Sequence, residues 1–264
     1  MTTNSGRLTV FADARTLGIQ LAAEIAELAE RCLSERGTFI LGCPGGRTPM
    51  STYQALAVEF AWRRTDLSHL VIAMMDDYVV PHGHGWATVP ATAHNSCRRF
   101  AHEDIQAVLN AGRDARFQIV NENVWLPDPA APTEYDQRLS EHGGVDFFIL
   151  ASGAGDGHIA FNPPGSAEDS TTRIVELAEQ TRRDNLATFP DFTGLDEVPS
   201  HGVTVGVGTI ATQSRRVVMI AHGADKREAV RRLTTGDGYD SSWPATIYRT
   251  VPGARLYADV AAAR

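Results

Sequence analysis

Asp156 and His158 stand two residues apart in "GAGDGHIAFNPPGS" (153–166). An imidazole oriented by a carboxylate is an acid/base pair that works near neutral pH. In an extended loop, residues i and i+2 lie on one side, so both side chains can face one pocket. The competing reading is a solvated loop histidine. Asp76 and Asp77 follow an apolar run in "MMDDYVVP" (74–81). Adjacent carboxylates of an extended chain point to opposite sides, so only one can easily face a pocket. A carboxyl at a dry strand end can carry a raised pKa and shuttle a proton; a turn or cap acid is the plainer alternative.

Two further segments suit an anion. Gly45 and Gly46 in "PGGRTP" (44–49) allow close approach of backbone amides, Arg47 adds charge, and Thr48 offers a hydroxyl at a helix start. No GK[ST] follows, so this is not a Walker A loop. Lys226 is the single lysine beside 23 arginines. A compact ammonium at a helix start is a good phosphate contact, against the plain reading of a solvated lysine. His82 and His84 with Asp76 or Asp77 offer a metal alternative, but glycine-flanked H-x-H is common in loops; no metal is expected. No cysteine lies near enough for a thiol nucleophile reading, and no GxSxG motif appears.

These groups need a scaffold. Leu17, Leu21, Ile25, Leu28 and Cys32 repeat at helical spacing, with Asp13 as N-cap. Apolar runs at 38–43, 70–75, 145–152 and 215–223 predict buried strands; 116–120 and 254–260 are weaker candidates. Thr48-Pro49 predicts an N-cap and first turn of a helix running to about Phe60, and "ADKREAVRRL" predicts another. Strands alternating with helices predict an α/β fold: a doubly wound, mostly parallel sheet with helices on both faces. Ligands in such sheets bind beyond the carboxyl ends of the strands. The segments 44–49, 76–78, 153–158 and 224–226 all fall there. Residues 1–264 read as one domain; 82–115 is the least regular segment, a candidate lid or subdomain.

Charge and cysteines narrow the class. Formal net charge is −8, with hydrophobic residues at 43%. The acidic balance disfavours nucleic acid and anionic membranes as partners but leaves a small anionic substrate open. Three scattered cysteines without a CxxC argue against disulfides or a zinc site and fit a reducing compartment. No leader-like start and no run of about 18 apolar residues is seen. A cytoplasmic location is expected, with self-association left open.

In order, "LGCPGGRTPMSTYQAL", "MMDDYVVP", "GAGDGHIAFNPPGS", "TTRIVELAEQTRRDN", "VPSHGVTVGVGTI" and "GADK" resemble the glucosamine-6-phosphate deaminase/isomerase family, whose fold also hosts the 6-phosphogluconolactonases. "GDGHIAFN" followed by "TVGVGT" favours the deaminase/isomerase branch; "GGRTP" is nearer the lactonase style. The resemblance implies aldose–ketose isomerisation of a phosphorylated sugar, with loss of a 2-amino group as ammonia in the deaminases, and no cofactor. It implies that Asp76 is the base moving a proton between C2 and C1. It further implies that His158, with Asp156 beside it, opens the ring, and that Gly45–Thr48 and Lys226 bind phosphate.

The chain departs from that pattern in four places. Pro163 stands where the deaminases carry a glutamate that supports the histidine, so Asp156 alone, Glu168 or Asp169 must serve, or ring opening differs. Ala187 replaces a phosphate-binding arginine, and Arg47 replaces a small glycine. Val175 replaces a basic residue of the activator pocket, so no such allosteric control is expected. Two other readings stay open: a lactonase-like hydrolase with His158 as base for water, and a sugar-phosphate sensor without chemistry.

Overall fold

The structure, a computed structural model, describes residues 7–189 and 191–264, the side chain of Ala187 excepted, so the expectation at Ala187 lies outside the described atoms. Eleven strands are found among these residues: β1 (Leu8–Phe11), β2 (Phe39–Cys43), β3 (Leu70–Met74), β4 (Asp76–His82), β5 (Gly85–Thr88), β6 (Val124–Trp125), β7 (Phe147–Ala151), β8 (Arg173–Glu176), β9 (His201–Thr204), β10 (Val217–Ala221) and β11 (Arg255–Asp259). Seven form a sheet in the order β1-β11-β10-β7-β2-β3-β6. All its pairings are parallel.

The apolar runs explain this sheet. β2, β3 and β10 are buried at every residue, which requires a layer on each face. Alternate residues sort between two cores. Phe39, Leu41 and Cys43 pack with Leu17, Leu21, Ile25, Tyr53, Leu56 and Phe60 from helices Ala14–Arg36 and Met50–Arg63. Ile40, on the other face, joins Tyr135, Leu139, Ile210, Val230 and Leu233 from helices Pro132–Glu141, Val207–Gln213 and Arg227–Thr234. The long first helix starts as its sequence dictates, with Asp13 accepting from the Thr16 amide at 2.7 Å, and ends on Gly37 in the left-handed conformation.

Three expectations are corrected. Segment 116–120 is not a strand: a 3₁₀ turn covers Ala115–Phe117. Beyond it, Ile119 is buried and its amide and carbonyl are satisfied by the side chains of Asn110 and Gln106, so no ladder is needed. The second helix begins at Met50, with no side-chain cap; Thr48 sits in the turn before it. Segment 82–115 is more ordered than its composition suggests, holding β5 and a helical stretch from Cys97 to Asn110.

A second sheet, β5-β4-β9-β8, is antiparallel and was not expected from the sequence. Its strands are short, and β5 and β8 are largely half-exposed, so neither long apolar runs nor clean alternation announces them. The two sheets share a chain: β3 ends at Met74 and β4 begins at Asp76, while the Met75 carbonyl accepts from the Val205 amide at 2.8 Å. Asp76 and Asp77 therefore sit at the corner where the chain leaves one sheet and enters the other.

Candidate active site

From β2, the chain builds outward through β3 to β6, then returns to the opposite side of β2 with β7. The crevice between β2 and β7 is the topological switch point, where open α/β sheets bind ligands. Strands β10, β7, β2 and β3 are consecutive neighbours. Lys226, the 153–158 loop, the 45–48 loop and Asp76 follow their carboxyl ends in that order. Three strand spacings, about 14 Å, separate the outer two. These segments line one cavity of about 550 Å³ that includes Gly45, Gly46, Arg47, Thr48, Asp76, His158 and Lys226.

Asp76 faces this cavity; Asp77, one residue on, has no exposed surface and does not line it. Asp77 Oδ1 instead accepts from the amides of Tyr78 and Cys97, both at 2.9 Å. Its Oδ2 has no hydrogen-bond partner among the described residues. Burial raises Asp77 to about 6, although these amides oppose the shift. Asp76 accepts from the Cys97 thiol at 3.5 Å. Burial, reinforced by the neighbouring Asp77 charge, raises Asp76 to about 7 against the opposing effects of Cys97 and His158. Such a carboxyl can both take and return a proton near neutrality.

The 153–158 loop is not extended, contrary to expectation. Gly157 has φ +66°, and the Trp243 ring lies 2.2 Å from where a Cβ would stand, so only glycine fits. The turn places Asp156 behind His158 rather than beside it: His158 lines the cavity and Asp156 does not. Asp156 Oδ1 lies 2.7 Å from His158 Nδ1 and accepts from the His158 amide at 3.1 Å. Thr181 Oγ1 donates to Asp156 Oδ2 at 2.9 Å and lies 3.0 Å from His158 Nδ1. Burial alone would raise Asp156, but the bonds from His158 and Thr181 prevail and hold it at about 2. An ionised carboxylate only accepts, so Nδ1 carries the proton and Nε2 of the neutral ring is left as the base.

The loop after β2 has no internal use for its amides. Among the described residues, none of the amides from Gly45 to Thr48 donates to another protein group, and Gly46 takes φ +82°. Lys226 donates to the Ser152 carbonyl at 2.8 Å. Desolvation lowers its pKa, Asp225, Asp184 and Asp156 work against that, and Arg47 adds to it. Arg47 is exposed, and its guanidinium makes no hydrogen bond or ion pair among the described residues.

Several pocket residues were not singled out from the sequence. Thr181, Asp184, Asn185 and Thr188 recur at helical spacing along helix Glu179–Thr188; the last three line the cavity and Thr181 reaches Asp156 behind it. That polar periodicity was the available signal. His222 lines the cavity and its Nε2 lies 2.9 Å from the Thr48 carbonyl. Cys97 also lines it, against Asp76, correcting the expectation that no cysteine approaches the site.

Neither Glu168 nor Asp169 hydrogen-bonds His158. Pro163 lines a separate open cavity of about 630 Å³ with Arg173 and Val175. His82 and His84 lie in the exposed β4–β5 hairpin, about 20 Å along the strand from Asp76, which removes the metal alternative built on them. Asp156, His158 and Asp184 each bring one donor atom within 4.8 Å of the others. Two of the three, Asp156 and His158, are already hydrogen-bonded to each other, and both carboxylates act on the charge of Lys226.

A doubly wound sheet whose switch point carries a buried carboxyl, an oriented imidazole and a loop of uncommitted amides has the layout of a sugar-phosphate isomerase. The chain belongs to the glucosamine-6-phosphate isomerase/6-phosphogluconolactonase family, which it matches over residues 12–256. It is 37% identical over 245 residues to a glucosamine-6-phosphate deaminase of Pseudarthrobacter chlorophenolicus, covering 90% of this chain and 85% of that protein. A Streptomyces avermitilis protein of the same name is 34% identical over 257 residues, covering 97% and 91%. Among solved structures, a monomeric glucosamine-6-phosphate deaminase superposes with TM-score 0.82 at 24% identity, covering 97% of this chain and 98% of the other. A 6-phosphogluconolactonase from Shewanella baltica gives 0.68 at 19%, covering 96% and 97%. At these identities the structural matches speak for the fold alone. No helix among the described residues is long and apolar enough to cross a membrane.

Proposed function

We propose that the protein isomerises and deaminates a 2-amino-2-deoxyhexose 6-phosphate, giving the ketose phosphate and ammonia. The observation that carries this reading is the order of groups along four neighbouring strand ends. A cation stands at one end and a proton-shuttling carboxyl at the other, with the oriented imidazole and the open amides of Gly45–Thr48 between them. The side chains of Lys226 and Asp76 both line the cavity from these ends, which leaves a shorter gap that suits a six-carbon chain with a terminal phosphate.

In this reading the phosphate binds the amides of Gly45–Thr48 and the charges of Lys226 and Arg47. His158 Nε2, held by the Nδ1 contacts with Asp156 and Thr181, takes the proton from the anomeric hydroxyl. It returns that proton to the ring oxygen as the ring opens. Asp76 then removes the C2 proton, acidified by the C1 carbonyl, and delivers it to C1. The C1 oxygen gains a proton as the amino nitrogen gives one up, and the C2 imine so formed adds water and expels ammonia. One carboxyl can serve both carbons because its protonated and ionised forms lie close in energy near neutral pH.

The test offers glucosamine 6-phosphate, glucose 6-phosphate and 6-phosphogluconolactone, read for ketose, ammonia and acid. Ketose with stoichiometric ammonia from the amino sugar supports the reading. Acid from the lactone without ketose from any hexose phosphate would replace it with a hydrolase in which His158 activates water. Binding without turnover across the panel would indicate a sensor.

A further inference from the structure

Cys97 meets both carboxylates of β4. Its amide donates to Asp77 Oδ1 at 2.9 Å, and its thiol lies 3.5 Å from Asp76 Oδ1, within reach for a sulfur donor. No other side chain hydrogen-bonds Asp76 among the described residues. Ser96 fixes the local backbone, its side chain accepting from the Arg99 amide at 3.2 Å. Cys97 thus opens the short helix Cys97–Phe100 with its side chain at the cavity wall.

We infer that Cys97 is a positioning residue for the Asp76 carboxyl, its thiol holding the orientation from which that group meets substrate while its amide anchors the neighbouring Asp77. This rests on Asp76 being the proton-transferring base. The thiol is buried, with its pKa raised by burial and by the two carboxylates, so it stays protonated and acts as a donor. A donor favours the ionised form of Asp76 and lowers its pKa, against burial. The other titratable groups that act on Asp76 are Asp77 and Tyr78 on its own strand, His158, Tyr53 from helix Met50–Arg63 and Tyr135 from helix Pro132–Glu141. Arg98, one residue from Cys97, bears on Asp77. Of these groups, Cys97 alone donates a hydrogen bond to Asp76.

The consequence concerns pH. As pH falls, activity is lost when Asp76 becomes protonated; removing its donor makes that happen at higher pH. Cys97→Ala should therefore displace the acid limb of the kcat/KM profile upward by about half a unit or more, with S–H a weak donor. Cys97→Ser keeps a donor and should return the limb to the wild-type position or below. Cys43→Ala, at a buried cysteine on β2, controls for packing loss and should leave the limb unmoved. In parallel, the Asp76 carboxyl is titrated by carbon NMR in the substrate-free wild type, Cys97→Ala and Cys97→Ser. An unmoved carboxyl titration in Cys97→Ala overturns the inference. A carboxyl titration that moves without the activity limb leaves Cys97 as the positioning residue and refutes Asp76 as the base.

Discussion

The two halves of the cavity are built to different standards. In the half that the proposed function assigns to acid/base work, each side chain has a protein partner: Asp76 has Cys97, and His158 has Asp156 and Thr181. In the half assigned to the anion, the amides of Gly45–Thr48 are uncommitted, the Arg47 guanidinium has no hydrogen bond among the described residues, and the Lys226 ammonium hydrogen-bonds a single carbonyl among them. Proton transfer tolerates little misplacement, so its groups are fixed beforehand. A phosphate brings its own charge and many acceptors, so its site can wait for it. The contrast implies that damage to the first half appears in kcat and damage to the second in KM.

The sharpest test of that division is Asp76→Asn. It should lower kcat by about 10³-fold or more, with KM within a few-fold, in steady-state kinetics. Stability gives a second readout. The folded-state value of about 7 lies above the unfolded carboxylate range near 4, so the native state binds the extra proton between them. Stability from this group is present at low pH and is lost as pH rises from about 4 through 7. Asp76→Asn removes that loss, so its urea midpoint should gain on the wild type as pH is raised through this window.

Next, Lys226→Met should raise KM for a phosphorylated substrate by about 10²-fold with a far smaller change in kcat. A fall in kcat alone would move Lys226 into the acid/base half. Thr181→Val should reduce kcat by about 10-fold while leaving KM unchanged, since only the hold on Asp156 and His158 loosens; an unchanged kcat would show Asp156 sufficient by itself. Arg47→Ala should show the smallest effect, a several-fold rise in KM, because an exposed charge is screened. That rise should shrink in high salt.

The same division governs what the sequence could reveal. Long apolar runs specify β2, β3, β7 and β10 because burial on both faces leaves one solution, and the rim segments follow from the strand ends. The cavity-lining residues Arg47 and His158, each next to a glycine, and the single lysine Lys226 were legible on that rim. Cys97 and Thr181 were not: each reaches a carboxylate from an element whose placement depends on tertiary packing, across 21 and 25 residues of chain. The antiparallel sheet escaped for a related reason, since β4 meets β9 across more than 120 residues, as with Asp76 opposite Thr204. The relation of Asp156 to His158 was misjudged because the left-handed turn at Gly157, needed for Trp243 to pack, replaces the extended geometry assumed between them.

The corner at Met75 also bears on how the molecule acquires its activity during folding. Neighbouring β2 and β3 come from chain segments about 30 residues apart, so that pair can form early. Asp76 is held in place only after β9 has docked on β4 from far along the chain, and closing so long a loop delays pairing. Catalytic competence should therefore be a late event, with the recovery of turnover on refolding from urea lagging behind the recovery of far-ultraviolet circular dichroism.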